Sequence, residues 1–557
     1  MATQVKYRSD FHHTVYVVNI ALIAMSLPLS KFTQSAFEIS LVLLWILSGF
    51  SFRIVFRFFK QGNIAEAIWH SVEYIANTIR HNAIEKTKLF FHNRPAVIIA
   101  SVFFLYILGL VYTANFDFAV KSLRIKLPLL LFPLIFGSMP KLSDTEFKQV
   151  LLWYLAAVFA GVAIGFYLFF SGDFLDVREL SPFINPIRFS LNITFSIFVF
   201  IWLVVKEPVY SNVQKAGFVL AIIVFFSFLI ILESITGITA ILVTLLIFAV
   251  ITAVKIRSRL LKTAIVFLIL ALPTSAYLYL NQVIQEATTA SPVKVDQLDR
   301  FTSRENPYKN NINSQIENGR YIGLYVCEKE LREAWNKRST IKYDSLNDEG
   351  IPISNTLKRY LTSKDLRKDA DGVNKLSLED VQLIEHGIAN YSYINDPGIK
   401  TRLLKIINGF QNYRTSGDPS GNSILQRVEY MKGAWLLFKK TPLFGVGTGD
   451  MEDALFEEYT LMKSKLKPEF FFHAHNQFLT IAITFGMIGL LWFLLALFYP
   501  PLKLGYHKDY FFLIFFIIIF SSMLTDDTID THSGVSLFAF FYSFLLLGRK
   551  RIKNIVS

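Results

Sequence analysis

The residues with the clearest chemical potential stand at the edges of long apolar runs. His473 and His475 lie in FFHAHNQFL, directly before the run that opens at Asn476. Arg188 sits in FINPIRFSL, Arg124 and Lys126 in SLRIKLP and Glu233 in LESITG, while Arg427, in QRVEYMKGAW, lies within the long polar stretch that precedes His473. A charge in or beside hydrocarbon is costly, and it persists mostly where it faces a cavity or a partner. Each base alone would serve equally well as a snorkelling group. Arg124, Lys126 and Arg188 together, at run ends on one side, point to a shared anion pocket. A neutral imidazole near several arginines is suited to accept a proton.

Two competing chemistries fall away. A His-x-His pair can ligate a metal, but no third Cys, Asp or Glu ligand is close in sequence, so neither a metal nor another cofactor is expected. PLFGVGTGD, residues 442–450, follows a helical pattern instead of a strand and lacks the third glycine of a dinucleotide loop. It reads as a tight glycine turn reversing the chain beside the membrane.

The elements that must position these groups are membrane spans. Of 557 residues, 53% are hydrophobic and only 18% charged, and the apolar residues come in runs long enough to cross a hydrocarbon core of about 30 Å. Twelve spans are expected: 14–30, 36–52, 96–115, 123–139, 150–171, 187–205, 216–232, 236–254, 263–281, 476–497, 510–524 and 534–547. The first run, with no small-residue cleavage site, reads as a retained helix and not a signal peptide. The net charge of +13 comes from bases flanking spans, which fits topology determinants better than nucleic-acid binding. Cys327 is the only cysteine, which excludes an intrachain disulfide.

Lys and Arg gather in alternate connections, notably 53–95 and 255–262, while the short connections between these hold Lys31, Lys121, Arg178 and little else beyond residues at span edges. The bias places both termini in the cytoplasm and the long polar stretch 282–475 outside. The expected organisation is therefore nine helices in 1–281, an outer domain at 282–475, and three helices with a basic cytoplasmic tail in 476–557. Residues 53–94 interleave bases with Val55, Phe58, Ile64, Ile68 and Ile75, the pattern of amphipathic helices lying along the inner interface. In the outer domain a helix is expected over 321–335, another starting at Ser377 with acidic Glu379 and Asp380 in its first turn. A third over 423–440 carries Ile424, Leu425, Val428, Met431, Trp435 and Phe438 at helical spacing until Pro442 ends it.

Arg427, Trp435, the 442–450 turn, His475-Asn476, Phe478-Leu479 and Gly486/Gly489 together resemble the O-antigen ligase/O-antigen polymerase superfamily. LRIKLPLLLFPL, INPIRFSL and the 317–410 stretch extend the resemblance over most of the chain. It implies an all-α, GT-C-like polytopic membrane glycosyltransferase of about twelve helices, with a mostly helical extracytoplasmic domain between helices 9 and 10. The implied donor is a polyprenyl-pyrophosphate-linked glycan and the implied acceptor lipid A–core, at the periplasmic face of a bacterial inner membrane, among membrane lipids and with no nucleic acid. His475 matches the essential histidine, Arg427 the loop arginine and Arg188 the arginine heading a preceding span; His473, Asn476 and Glu233 are supporting. The turn Ser234–Gly237 lacks the arginine that many members carry there, so any anion contact made by that arginine is either absent here or supplied by Arg124 or Lys126.

The residues agree with that chemistry. Arginine is the best planar donor to phosphate oxygens, so Arg124, Lys126, Arg188 and Arg427 would bind the donor pyrophosphate and neutralise its leaving charge without a metal. The unperturbed imidazole pKa of ~6.5 suits a base for the acceptor hydroxyl. The same features fit a polymerase of polyprenyl-linked repeats or a protein O-oligosaccharyltransferase. A lipid-linked oligosaccharide transporter fits less well, for neither internal repeat nor broken midplane helices stand out.

Overall fold

The computed structural model describes residues 10–550 except 62, 173, 291, 349 and 397. The first nine residues and the tail at 551–557 expected inside lie outside that description. The chain is mostly helical, at 73% helix. In order come α1 (Asp10–Ser26), α2 (Lys31–Ile46), α3 (Phe52–Gln61), α4 (Ile64–His92), α5 (Arg94–Leu108), α6 (Phe116–Lys126) and α7 (Pro128–Ser138). There follow α8 (Asp144–Ser171), α9 (Pro186–Lys206), α10 (Asn212–Ile231), α11 (Ile235–Lys255) and α12 (Arg259–Thr288). Short polar residues start most of these helices by accepting from their first free N–H groups. Ser143 with Glu146 and Ser211 with Gln214 form capping boxes for α8 and α10, while Asn93 and Asn185 cap α5 and α9 just before a proline.

Among the described residues seven helices are long and apolar enough to cross a membrane: the α5 segment extended to Tyr112, α8, α9, α10, α11, α12, and one near the C-terminus, Gln477–Leu504. The other five expected spans coincide with shorter helices. The expected span 123–139 is split, because the chain turns at Leu127 before Pro128 opens α7. Arg124 and Lys126 therefore sit on the last turn of α6.

Burial differs sharply between spans. α9 is the hub, with 78% of its apolar window buried, against none for α12. The hub carries polar groups inward, and several are satisfied internally, as a dry interior favours. Tyr154 donates to Asn192 Oδ1 at 2.9 Å, Asn192 to the Arg188 carbonyl at 2.7 Å, and Ser196 to the Asn192 carbonyl at 2.8 Å. On α3, Phe52, Phe56 and Phe59 are exposed along one stripe and Arg53, Arg57 and Lys60 follow another, the two-faced form expected of an interfacial helix.

Beyond α12 the chain forms a hairpin, β1 (Ile316–Glu317) with β2 (Arg320–Tyr321), turned by Asn318-Gly319, both at positive φ. Then come α13 (Glu328–Arg338), α14 (Ile353–Ser363), α15 (Ala370–Asn374), α16 (Leu378–Glu385), α17 (Ser392–Asn395), α18 (Ile399–Ser416), α19 (Ser423–Lys440) and α20 (Met451–Leu461). The helix expected over 321–335 begins only at Glu328, since the hairpin and an extended stretch occupy the residues before it. Leu331 and Trp335 enter a separate core with Leu357, Tyr360 and Ile384. Ser377 caps α16 through a box with Asp380. α19 spans the expected residues, but it buries Leu425, Tyr430, Ala434 and Leu437, and leaves Ile424, Val428 and Trp435 exposed. Its partners are α20 and the span that follows, so packing chose a different face from the apolar stripe.

The last helices are α21 (Gln477–Leu504), α22 (Tyr510–Met523) and α23 (His532–Ser543). α21 breaks at Gly486, with φ 67° and ψ −168°. A break inside hydrocarbon would orphan backbone groups, and the 442–450 turn replaces the lost partners. Val446 and Gly447 donate N–H to the Ile483 and Thr484 carbonyls at 2.9 Å each, and Met487 donates to the Pro442 carbonyl at 2.8 Å. The turn is held at its far end by Asp450, which accepts from the Ala114 and Asn115 amides just beyond α5. The glycine turn read from the sequence is thus a plug in a broken span.

Candidate functional site

The C-terminal end of α6 and the N-terminal ends of α9 and α21 meet at the loop 524–531, LTDDTIDT, between α22 and α23. This loop supplies three carboxylates. Arg188 Nη1 lies 2.7 Å from Asp526 Oδ2, while its Nη2 donates to the Asp527 carbonyl at 3.0 Å. Lys126, 1% exposed, pairs with Asp530 and donates to the Ile529 carbonyl at 2.6 Å. Gln477, at the start of α21, donates to Asp530 Oδ2 at 3.1 Å and accepts from the Ile529 amide at 2.7 Å. Two cations expected in an anion pocket are therefore buried and matched by carboxylates of the protein itself. Burying a charge demands such pairing.

The same loop holds His475. Asn476 caps α21 by accepting from the Phe478 and Leu479 amides, and its side chain donates to the Leu524 carbonyl at 2.9 Å. His475 just before it takes the left-handed conformation, φ 48°, unusual outside glycine and a form of strain that concentrates at functional sites. Its amide donates to Asp527 Oδ2 at 2.8 Å, and its Nδ1 stands 3.0 Å from Asp526 Oδ1. Asp527 Oδ1 accepts from Thr480 at 2.5 Å. The imidazole stacks on Tyr430 with centroids 5.3 Å apart, and Tyr430 is fixed by donating to the Phe470 carbonyl at 2.8 Å. An ionised carboxylate can only accept, so Nδ1 carries the hydrogen and Nε2 presents a lone pair. Nε2 has no hydrogen-bond partner among the described residues, and 29% of the side chain is exposed.

The adjacent carboxyls are pushed apart. Burial would raise Asp526, but the Arg188 guanidinium, then the His475 hydrogen bond and charge, hold it well below the usual carboxylate range; Arg427 adds to this. Asp527 is raised by burial and by the neighbouring Asp530 charge. Opposed environments of this kind fit different roles for neighbouring groups. Asp526 remains an anion that can face an imidazolium.

The other expected residues divide. Arg427, on α19 three residues before Tyr430, is half-buried, without a hydrogen bond or ion pair among the described residues, and its charge reaches Asp526 and Tyr430. Arg124 is exposed on α6. Glu233, at φ 51° in the α10–α11 turn, is buried and takes Lys405 Nζ at 3.1 and 3.2 Å. His473 points elsewhere, with Nε2 3.9 Å from Glu452; burial alone would lower it, but Glu452, Asp527 and Asp530 raise it. Arg188, His475 and Arg427 therefore converge through Asp526, while Lys126 and Glu233 are paired within the protein.

Sequence reasoning missed the 524–531 loop. A signal was present: three carboxylates in one short outer connection, beside two unbalanced outer bases at Lys126 and Arg188. Among the described residues no group of three or more His, Cys, Asp or Glu is arranged to hold a metal ion. In comparison with known proteins, residues 390–494 match the family described as O-antigen ligase, of the glycosyltransferase-type ligase/polymerase superfamily. That stretch contains Arg427, His475, Asn476 and the broken first half of α21. No curated protein matches the chain.

Proposed function

With the O-antigen ligase match as premise, we propose that this chain is a GT-C-like glycosyltransferase that moves a glycan from a polyprenyl-pyrophosphate carrier to a lipid A–core acceptor, at the periplasmic face of a bacterial inner membrane. His475 is the base. Nε2 takes the proton of the acceptor hydroxyl as its oxygen attacks the anomeric carbon with inversion. The bond from that carbon to the carrier phosphate breaks, and its electron pair leaves with the phosphate oxygen. Arg427 faces the charge that develops there, which requires no metal ion. Asp526 is a positioning residue: it keeps the hydrogen on Nδ1 and stabilises the imidazolium that forms. Arg188 orients Asp526 through its 2.7 Å contact.

The observation that carries this reading is the open Nε2 of an imidazole whose Nδ1 is 3.0 Å from a buried, ionised Asp526. Its test is reconstitution of the purified chain with a polyprenyl-pyrophosphate glycan and lipid A–core, with chelator present. The expected result is glycan on the lipid acceptor, lost in His475→Ala. Longer polyprenyl-linked chains without acceptor product would make the protein a polymerase, and transfer to a polypeptide a protein glycosyltransferase. Lipid movement between leaflets with no transfer would make it a transporter.

A further inference from the structure

Lys126 and Arg188 are neutralised by Asp530 and Asp526, so the excess positive charge near the site must come from elsewhere. It comes from α18. Arg402 of that helix donates from Nη2 to Ser423 Oγ at 3.1 Å, and Ser423 stands one turn before Arg427 on α19. One turn after Arg402, Lys405 reaches Glu233 in the α10–α11 turn at 3.1 Å. These two contacts clamp the basic face of α18 between the outer end of the membrane bundle and the helix bearing Arg427.

Arg402 has no carboxylate partner of its own among the described residues. Arg178, whose contact with Asp176 is a loose 3.9 Å, and Arg427 press like charge on its guanidinium, while Glu233 and Asp176 oppose them. Burial first, then Arg178, lower its proton affinity. Two of the four cations face carboxylates and the other two, Arg402 and Arg427, face none. A diester of pyrophosphate carries one negative charge per phosphoryl group, so it matches this excess in sign and number. A half-buried guanidinium kept beside like charges is a cost to the free protein, and an anion between them would remove it.

We propose that Arg402 and Arg427 form the cradle that binds the pyrophosphate of the lipid-linked donor, with Lys405 holding α18 in place through Glu233. This deepens the transferase reading and rests on it. Transfer leaves one further negative charge on the carrier's terminal phosphate, and the cradle meets that charge as it forms.

The test is binding, separate from turnover. A short-chain prenyl diphosphate and the matching prenyl monophosphate are titrated onto the full-length chain in detergent micelles. Arg402→Gln should weaken diphosphate binding about tenfold or more, as loss of a charge-assisted hydrogen bond does, and Ser423→Ala should weaken it less. His475→Ala should bind as the parent does. The monophosphate should bind more weakly and respond less to Arg402→Gln. Arg402→Lys, which keeps the charge, should recover part of the affinity, and its thermal midpoint checks folding. Parental affinity in Arg402→Gln and Lys405→Gln would overturn the cradle, and so would a parent that transfers glycan without binding the diphosphate. A parent that neither binds nor transfers would overturn the donor reading with it.

Discussion

At the scale of the residue, Asp526 is the centre on which the others depend. It lies between a guanidinium 2.7 Å away and an imidazole nitrogen 3.0 Å away. Removing its charge by Asp526→Asn withdraws the anion that favours the protonated ring. The transfer rate should fall by roughly 10²-fold or more, since the ring is no longer held in the productive tautomer. Transfer rates of parent and variant, measured side by side, check this, and an unchanged rate would detach Asp526 from the base. His475 and Arg188 were legible in the sequence because polar groups at the edge of an apolar run are conspicuous, and Arg427 because it falls in the motif that carries the family resemblance. Their counter-charge was not, because Asp526 belongs to a connection that resembles any polar loop and is far from its partners along the chain. For Lys126 the charge was legible and its use was not: what reads as an anion site is a cation already paired with Asp530.

At the scale of the element, the broken α21 and its plug carry His475. Gly486 adopts φ 67°, and a Cβ there would lie 2.0 Å from the Leu443 carbonyl oxygen. Backbone cannot retreat as a flexible side chain can. Gly486→Ala should therefore cost roughly 2–4 kcal/mol by strain and lost plug contacts, read as a lowered thermal midpoint in detergent. A midpoint equal to the parent's would show that the break tolerates a side chain and that the fit of turn to span is not what holds it. The sequence showed a reversing turn at 442–450 and a glycine at 486, each for its own reason. That one completes the hydrogen bonds of the other is a property of two segments brought together, which neither segment displays. The apolar stripe of α19 illustrates the converse: periodicity identified the helix, while neighbours decided which face to bury.

At the scale of the molecule, the ends of α6, α9 and α21 and the α22–α23 loop share one face. Ion pairs such as Arg549 with Asp509 and Lys148 with Glu207 gather near other helix ends. The Lys/Arg bias assigns the first face to the outside. Cys327 is buried, so a Cys327→Ser background supports single-cysteine reporters. Lys329→Cys, exposed on α13, should react with a membrane-impermeant thiol reagent in spheroplasts, and Glu66→Cys on α4 only after lysis. The reverse pattern would turn the molecule over and place the site in the cytoplasm. Helix number was legible mainly through length, and the short helices α1, α2, α7, α22 and α23 are where length gives least guidance.

The pairing of Lys126 and Arg188 with the 524–531 loop also sets an order in time. Both cations are synthesised and placed at the membrane more than three hundred residues before Asp526 and Asp530 leave the ribosome. Until α22 and α23 arrive, the bundle holds two charges with no counterpart, and the base has neither its anchor nor its tautomer. On the proposed mechanism activity is thus withheld from every nascent or prematurely ended chain, and a chain stopped at Met523 should be cleared by membrane proteolysis far faster than the 557-residue chain.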